Sequence, residues 1–381
     1  MTSGNTQSNA SLRPTIWQKE LYQDVIDNLY FTKNGMMGSD DNNIVQLKDE
    51  LMKEKGNTVT FGLTAKLAGS GVTGDSELEG NEEKINGYAD SVVISKKRFA
   101  VRLDGKLDEQ QAAYDMRVDA KNKLSIRMQE FIERQVFLKM GSVGLATITD
   151  SAGVVVGTDV AWSNTPDVVT VTDETAGFGA RYLSAAYDAV SGTGNNASMS
   201  TVHVLTPNLI SKLRIKAKLA NPQIVPLKID GVNYYILFVH PWQAYDLKNH
   251  PSYRDAQLYA AQRGKDNPIF TGSLGVWDGV IVHEHEYTPY LDISSFSGTA
   301  NFAGNASGVQ AAVDLTRAIL CGSQAIAFAK AKYSNGWVEK AFDYDDKVGF
   351  ATGLLGGIQK VQFNSKDYGT IALDTYATPI A

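Results

Sequence analysis

Residues 108–140 form a run of 33 positions without a glycine or a proline. Ala112, Met116, Ala120, Leu124 and Met128 recur every four residues, joined by Phe131, Ile132 and Val136, the spacing of one helix face. The run opens at Asp108 with Gln111 three residues on, a capping-box-like start. It closes at Gly141, placed as a C′ glycine. At 1.5 Å per residue the element is roughly 50 Å long, about three times the mean helix length. Capped ends make it one long rod rather than a bundle pair. The apolar stripe is core packing, and the charged side opposite it is a solvated face.

Two strand-like arms precede the rod, 58–67 (TVTFGLTAKL) and 88–103 (YADSVVISKKRFAVRL), both rich in β-branched and aromatic residues. They predict a long hairpin. A two-stranded ribbon is marginal alone in water. Val59, Phe61, Val93, Phe99 and Val101 therefore need cover, from this chain or from a neighbouring subunit.

The hairpin tip, AGSGVTGDSELEGNEE (68–83), places Gly69, Gly71 and Gly74 in the spacing of a dinucleotide-binding turn. That motif needs a strand before it and a helix after it, whose N-terminus holds the pyrophosphate. The strand is present. After Gly74, however, come two more glycines and hardly any apolar residue at helical spacing. Asp75, Glu77, Glu79, Glu82 and Glu83 stand where a diphosphate needs neutral or positive surroundings. The expected reading is a flexible acidic loop; a dinucleotide-binding oxidoreductase using 69–74 is the alternative.

The rest of the chain predicts a mixed α and β protein. Residues 16–31 read as a short amphipathic helix, and 44–56 (IVQLKDELMKEKG) as another ending at Gly56. Residues 142–180 suggest short strands or an inserted loop, and 180–192 a helix. A strand and then a helix starting near Pro207 follow, the helix crowded with Lys212, Arg214, Lys216 and Lys218, read as a solvated face. Hairpins turn at Asp230-Gly231 and Asp278-Gly279, dipeptides suited to type I′ turns. Between them lies a helical stretch broken by Pro251. From 313 onward strand-like runs alternate with glycine breaks.

Candidates for chemistry are sparse. His283 and His285 would share a strand face about 7 Å apart, but two imidazoles fall short of a zinc site. Cys321, the single cysteine, sits in the apolar stretch RAILCGSQAIAF, the setting of a buried, inert thiol. No nucleophile elbow, HExxH or P-loop pattern is present. The acidic tip lacks EF-hand ligand spacing. A net charge of −6 argues against a dedicated nucleic-acid reader. No run approaches the 18 apolar residues of a membrane span.

The order of elements resembles a known architecture: arm, glycine-and-acid-tipped hairpin, uninterrupted helix, mixed domain, final β segment. It is similar to the Hong Kong 97 fold of tailed-bacteriophage major capsid proteins. The stretches GVTGD, LEGNEE and RFAVRLDGK, with GVWDGVIVHEHEY and DLTRAILCGSQAIAFA further on, resemble the capsid family of N-four-type podophages. The resemblance spans about 15–375; segments 142–180 and 292–308 match nothing in it.

What the resemblance implies is an α+β, Hong Kong 97-like fold. It would have an N-terminal arm (1–57), an extension loop (58–107), and a peripheral domain (108–184) containing the spine helix (108–140). An axial domain (185–309) and a return to the peripheral domain (310–381) would complete it. Subunits would close into hexamers and pentamers of an icosahedral head around packaged double-stranded DNA, held by non-specific contact. The head would be assembled in the bacterial host cytoplasm. Portal, scaffolding and decoration proteins are the other implied partners; no cofactor, metal, catalytic residue or membrane contact is. Gly69, Gly71, Gly74, Asp75, Glu77, Glu79, Glu82, Glu83, Phe61, Arg98 and Arg102 would contact neighbouring subunits through the extension loop.

Overall fold

The computed structural model describes residues 25–49, 56–64, 71–74, 77, 79, 82, 87–103, 105, 116–141, 145–149, 155–160, 181–186, 199–220, 222–260, 274–291, 315–331, 337–344, 346–363 and 366–376. In chain order it runs α1 (Tyr30–Lys33), β1 (Met37–Gly38), β2 (Val45–Lys48), β3 (Thr58–Thr64), β4 (Gly87–Val93), β5 (Ser95–Arg102), the long α2 (Met116–Met140), then β6 (Leu145–Thr149), β7 (Val155–Val160) and β8 (Tyr182–Ser184). Next come α3 (Pro207–Leu219), β9 (Leu227–Ile229), β10 (Val232–Val239), α4 (Pro241–Asn249), α5 (Pro251–Ala260), β11 (Val276–Trp277), β12 (Val280–Glu284) and β13 (Tyr290–Leu291). The chain ends with β14 (Leu315–Cys321), β15 (Ile326–Lys330), β16 (Trp337–Phe342), β17 (Lys347–Lys360), β18 (Gln362–Phe363), β19 (Lys366–Asp367) and β20 (Thr370–Tyr376).

Two sheets carry the fold. One has the order β1-β2-β15-β17-β16, with β5 on the free side of β17. The other has the order β11-β12-β10-β14-β20-β8, extended by β9 and β13. Helix α2 packs along the first sheet: Ala120, Leu124, Met128 and Phe131 share a core with Phe328, Phe350, Leu354 and Ile358. The predicted stripe is thus the buried face, while Val118 and Ile126 point outward. The start at Asp108, with Gln111 and Ala112, lies outside the described residues.

The second sheet is covered on both faces. In β10 the alternate residues Tyr235, Leu237 and Val239 face α3 and α4, while Ile236 and Phe238 face the α2 core. In β14 the set Ala318 and Leu320 faces one way, and Ile319 and Cys321 the other. This explains the near-continuous apolar run of β14, since a strand covered on both faces has no solvent side to mark with polar residues. Residues 315–376 are therefore shared between layers: β14 and β20 pair beside β10, and β15 to β17 beside β5.

Both Asp-Gly turns form as expected. Asp230 and Gly231 have φ of 50° and 81°, and Asp278 and Gly279 of 47° and 73°, the double left-handed signature of type I′. Helices begin at Pro207, Pro241 and Pro251, where a missing N–H costs nothing.

Other expectations need correction. Residues 45–48 are a strand, not a helix: Ile44 and Val45 are fully buried, and β2 pairs in parallel with β15. Residues 182–184 are an edge strand on β20 rather than the start of a helix. Residues 199–206 form turns and irregular backbone instead of a strand. The 16–31 helix is broken at Asn28 and Leu29 within its described part. Gly141 is not a left-handed cap. A Cβ there would lie 2.7 Å from Pro289 and 3.2 Å from Phe137 O, so the glycine serves close packing at the helix end.

Candidate functional site: an acidic ribbon tip and a basic sheet face

Strands β3 and β4 pair antiparallel from Thr58↔Val93 to Thr64↔Gly87. The foot of this ribbon is covered by its own chain. Val59 and Val92 are buried with Ala327, Ala329, Val361 and Phe363. Phe61, expected at a subunit contact, packs edge-on against Phe363 of the same chain, 6.2 Å between centroids. Asp90 Oδ2 accepts from Gln362 N at 2.8 Å. Gly357 lies beneath the ribbon, where a Cβ would be 2.3 Å from Val93 O. Val93 itself remains half exposed.

At the tip, Gly71 and Gly74 adopt φ of +67° and +70°, with no described residue within 4 Å of a Cβ at either. These are turns that L side chains resist. Glu77, Glu79 and Glu82 are exposed. Gly69, Asp75 and Glu83 lie outside the described residues. A two-stranded antiparallel ribbon is not the βαβ unit that a dinucleotide turn requires, and no described residue after Gly74 is helical before α2.

The arm expected at 88–103 divides at Ile94. Its second half, β5, leaves the ribbon and pairs with β17. Its inward residues meet α2: Phe99 lies 5.5 Å from the Phe131 ring, and Lys97 Nζ sits 5.0 Å above the same ring. Its outward residues, Lys96, Arg98, Ala100 and Arg102, are exposed. Opposite them across β17 come Leu355, Gly353, Ala351 and Gly349, and beyond Gly349 lies Lys340 of β16. Arg102 and Lys340 both sit over the Phe342 ring, at 5.3 and 5.0 Å. Gly349 makes room for that ring, since a Cβ there would be 2.9 Å from it. The face turned away from α2 thus carries three exposed cations on β5, with Lys340 of β16 beyond Gly349.

His283 and His285 face an aromatic cluster instead of one another's ligand. Tyr30 Oη lies 3.1 Å from His283 Nδ1, and His285 stacks on Phe137 at 4.3 Å. Tyr30 N also donates to Glu133 Oε1 at 2.7 Å, which ties α1 to α2. Among the described residues no three His, Cys, Asp or Glu side chains could hold a metal. Burial, then the neighbouring His283, pushes the His285 imidazole down to about 4; burial lowers His283 as well.

The unfolded chain protonates both imidazoles below about pH 6.5, whereas the folded chain does so only near the lowered values. Stability should therefore fall as pH drops from 6.5 to about 4, with a contribution on the order of 2–3 kcal/mol from His285 that saturates below that range. Glu133, raised by burial, acts in the opposite sense over its own range. Denaturant unfolding of His285→Phe across that window should show a flatter slope; a slope like the wild type's would remove His285 from this account.

A further charged feature gave no sequence signal. Arg317 and Asp374, directly opposed on β14 and β20, are both fully buried. Arg317 Nε and Nη2 donate to Asp374 Oδ1 and Oδ2 at 2.7 and 2.8 Å, and Nη1 donates to Gly141 O at 2.9 Å. Tyr182 Oη donates to Asp374 Oδ2 at 3.0 Å. The cluster fastens the end of α2 to the second sheet. Nearby Cys321 is fully buried, with its thiol pushed well up by burial, and Sγ lies 3.6 Å from Met140 Sδ. In α3, Arg214 pairs with Asp278 and Lys216 turns inward to Tyr182 O, so half of that cationic row is engaged.

Known proteins match this arrangement along nearly its whole length. The major capsid protein of Pseudomonas phage KPP25 is 28% identical over 368 residues, covering 94% of this chain and 93% of that one. The capsid of Ralstonia phage GP4 superposes with a TM-score of 0.70 at 23% identity, covering 92% of each chain. The capsid asymmetric unit of cyanophage Pam1 does so with a TM-score of 0.67 at 22% identity, covering 90% of this chain and 91% of that one. The fold is Hong Kong 97-like. A family model described as phage capsid protein matches residues 5–379. The glycine-rich turn is thus part of a structural protein of the virion, not of an enzyme, and the chain belongs to the phage capsid protein family.

Proposed function

We propose that this chain is the major capsid protein of a tailed bacteriophage, closing as hexamers and pentamers into an icosahedral head around double-stranded DNA. The observation that carries the mode of assembly is charge complementarity within one chain. The ribbon tip offers Glu77, Glu79 and Glu82, while the outward face of β5 offers Lys96, Arg98 and Arg102. The foot of the ribbon is docked on its own sheet, while Glu77, Glu79 and Glu82 at the tip are exposed. In this reading Gly69, Gly71 and Gly74 let the tip bend. Asp75, Glu77, Glu79, Glu82 and Glu83 meet the Arg98 and Arg102 face of the adjacent subunit.

The domain reading is an arm at 1–57, an extension loop at 58–107, a peripheral domain from 108 and an axial domain at 185–309. The final segment serves both layers. Assembly takes place in the bacterial host cytoplasm, with portal, scaffolding and decoration proteins as further partners. The mild net charge of −6 suits a container, since a strongly basic wall would hold DNA through its phosphates.

The chain expressed alone should give rounded shells, tubes, or five- and six-fold rings when the sedimenting fraction is imaged by electron microscopy. Deletion of 66–84, and separately Arg98→Glu with Arg102→Glu, should leave a protein with wild-type circular dichroism that forms no shells. Normal shells from either variant would end the proposed role of the acidic tip, while leaving the capsid reading to the wild-type images.

A further inference from the structure

Arg181, at the outer edge of the second sheet, is 1% exposed. Its Nη2 donates to Pro222 O at 2.5 Å. Its Nε and Nη1 are covered and meet no acceptor among the described residues. The carboxylate acting on it, Asp367, is already held by Lys360 Nζ and Gln362 Nε2, each at 2.7 Å. The backbone of the next residue brings in a second cation, because Lys216 Nζ donates to Tyr182 O at 2.5 Å. Lys216 is half-buried, and burial together with the charge of Arg181 lowers its ammonium to about 8.

A guanidinium cannot shed its proton to relieve this situation. Two buried N–H donors without partners each carry a desolvation cost, and an interior charge whose nearby carboxylate, Asp367, is already shared with Lys360 and Gln362 adds to it. An anion with several acceptor oxygens would satisfy both open donors and the adjacent ammonium together.

We propose that Arg181 and Lys216, between β8, α3 and the Pro222 loop, form a binding site for a tetrahedral oxyanion of the phosphate class. Lys216 is the less buried of the two. Arg181 lies too deep for a phosphate still embedded in duplex DNA, so the ligand is the free ion.

The test is thermal unfolding of the full chain, titrated with inorganic phosphate at constant ionic strength, with a short DNA duplex as a second arm. The wild-type midpoint should rise saturably by roughly 2 °C or more, and duplex should not reproduce the rise. Arg181→Met should show no such rise, and without phosphate it should be no less stable than wild type. Lys216→Met should weaken the phosphate effect even if Arg181→Met does not fold. The proposal is overturned if phosphate leaves the wild type unmoved, if all three proteins shift together, or if duplex alone raises the midpoint.

Discussion

Asp374→Ala is expected to destabilise the protein by about 3–5 kcal/mol, because it leaves Arg317 charged and buried with two of its donors unmet. The pair is fully enclosed, and its geometry is bidentate. A further hydrogen bond of Arg317, to Gly141 O, places it at the negative end of the α2 dipole. That contact helps but cannot replace a carboxylate. Arg317→Met combined with Asp374→Leu should recover most of the loss, since an apolar pair of similar volume removes both charges. Denaturant midpoints of the two variants, with slopes compared, decide the matter. A loss below about 1 kcal/mol for Asp374→Ala would mean that the interior relaxes to admit water.

Gly357→Val should cost about 1–3 kcal/mol by overpacking and lift the ribbon from its sheet. The obstacle is rigid: a Cβ would meet Val93 O at 2.3 Å and Val92 Cγ1 at 2.9 Å, both belonging to the ribbon itself. Faster proteolysis within 58–93 and loss of shells, with unchanged helical circular dichroism, is the expected pattern. Gly349→Ala is the control. Its obstacle is the edge of the Phe342 ring at 2.9 Å, on an exposed side chain that can swing away. A Gly357→Val protein with wild-type protease resistance would show that the ribbon does not depend on this contact.

What could be read from sequence was what short-range chemistry dictates. The Asp-Gly turns, the helix start at Pro207 and the stripe of α2 each rest on residues close in the chain. Within 44–56, expected as a helix, residues 45–48 form a strand because the deciding contact is a parallel pairing with β15 some 280 positions away. The same limit hid Arg317 and Asp374, which look like ordinary charges until β14 and β20 bring them into register. The ribbon illustrates a subtler gap. Its apolar residues do need cover, but most of it comes from 327–331 and 361–363 of the same chain. The acidic tip is visible as a charge pattern; that β5 leaves the ribbon to pair with β17, bringing Arg102 and Lys340 together over Phe342, is not.

Only Gly322 to Ala325 separate β14 of one sheet from β15 of the other. A side chain cannot be added at Gly322, whose Cβ would strike Val225 O at 2.4 Å. Gly322 N donates to Gly369 O, Ser323 N to Val225 O and Gln324 N to Asn43 O, at 2.7 to 2.8 Å. Such a crossing transmits torque instead of absorbing it: tilting one sheet against the other would break several backbone hydrogen bonds at once. At this joint the two sheets then turn together. In a closed surface built from such subunits, differences in local curvature have to be taken up elsewhere than at this crossing.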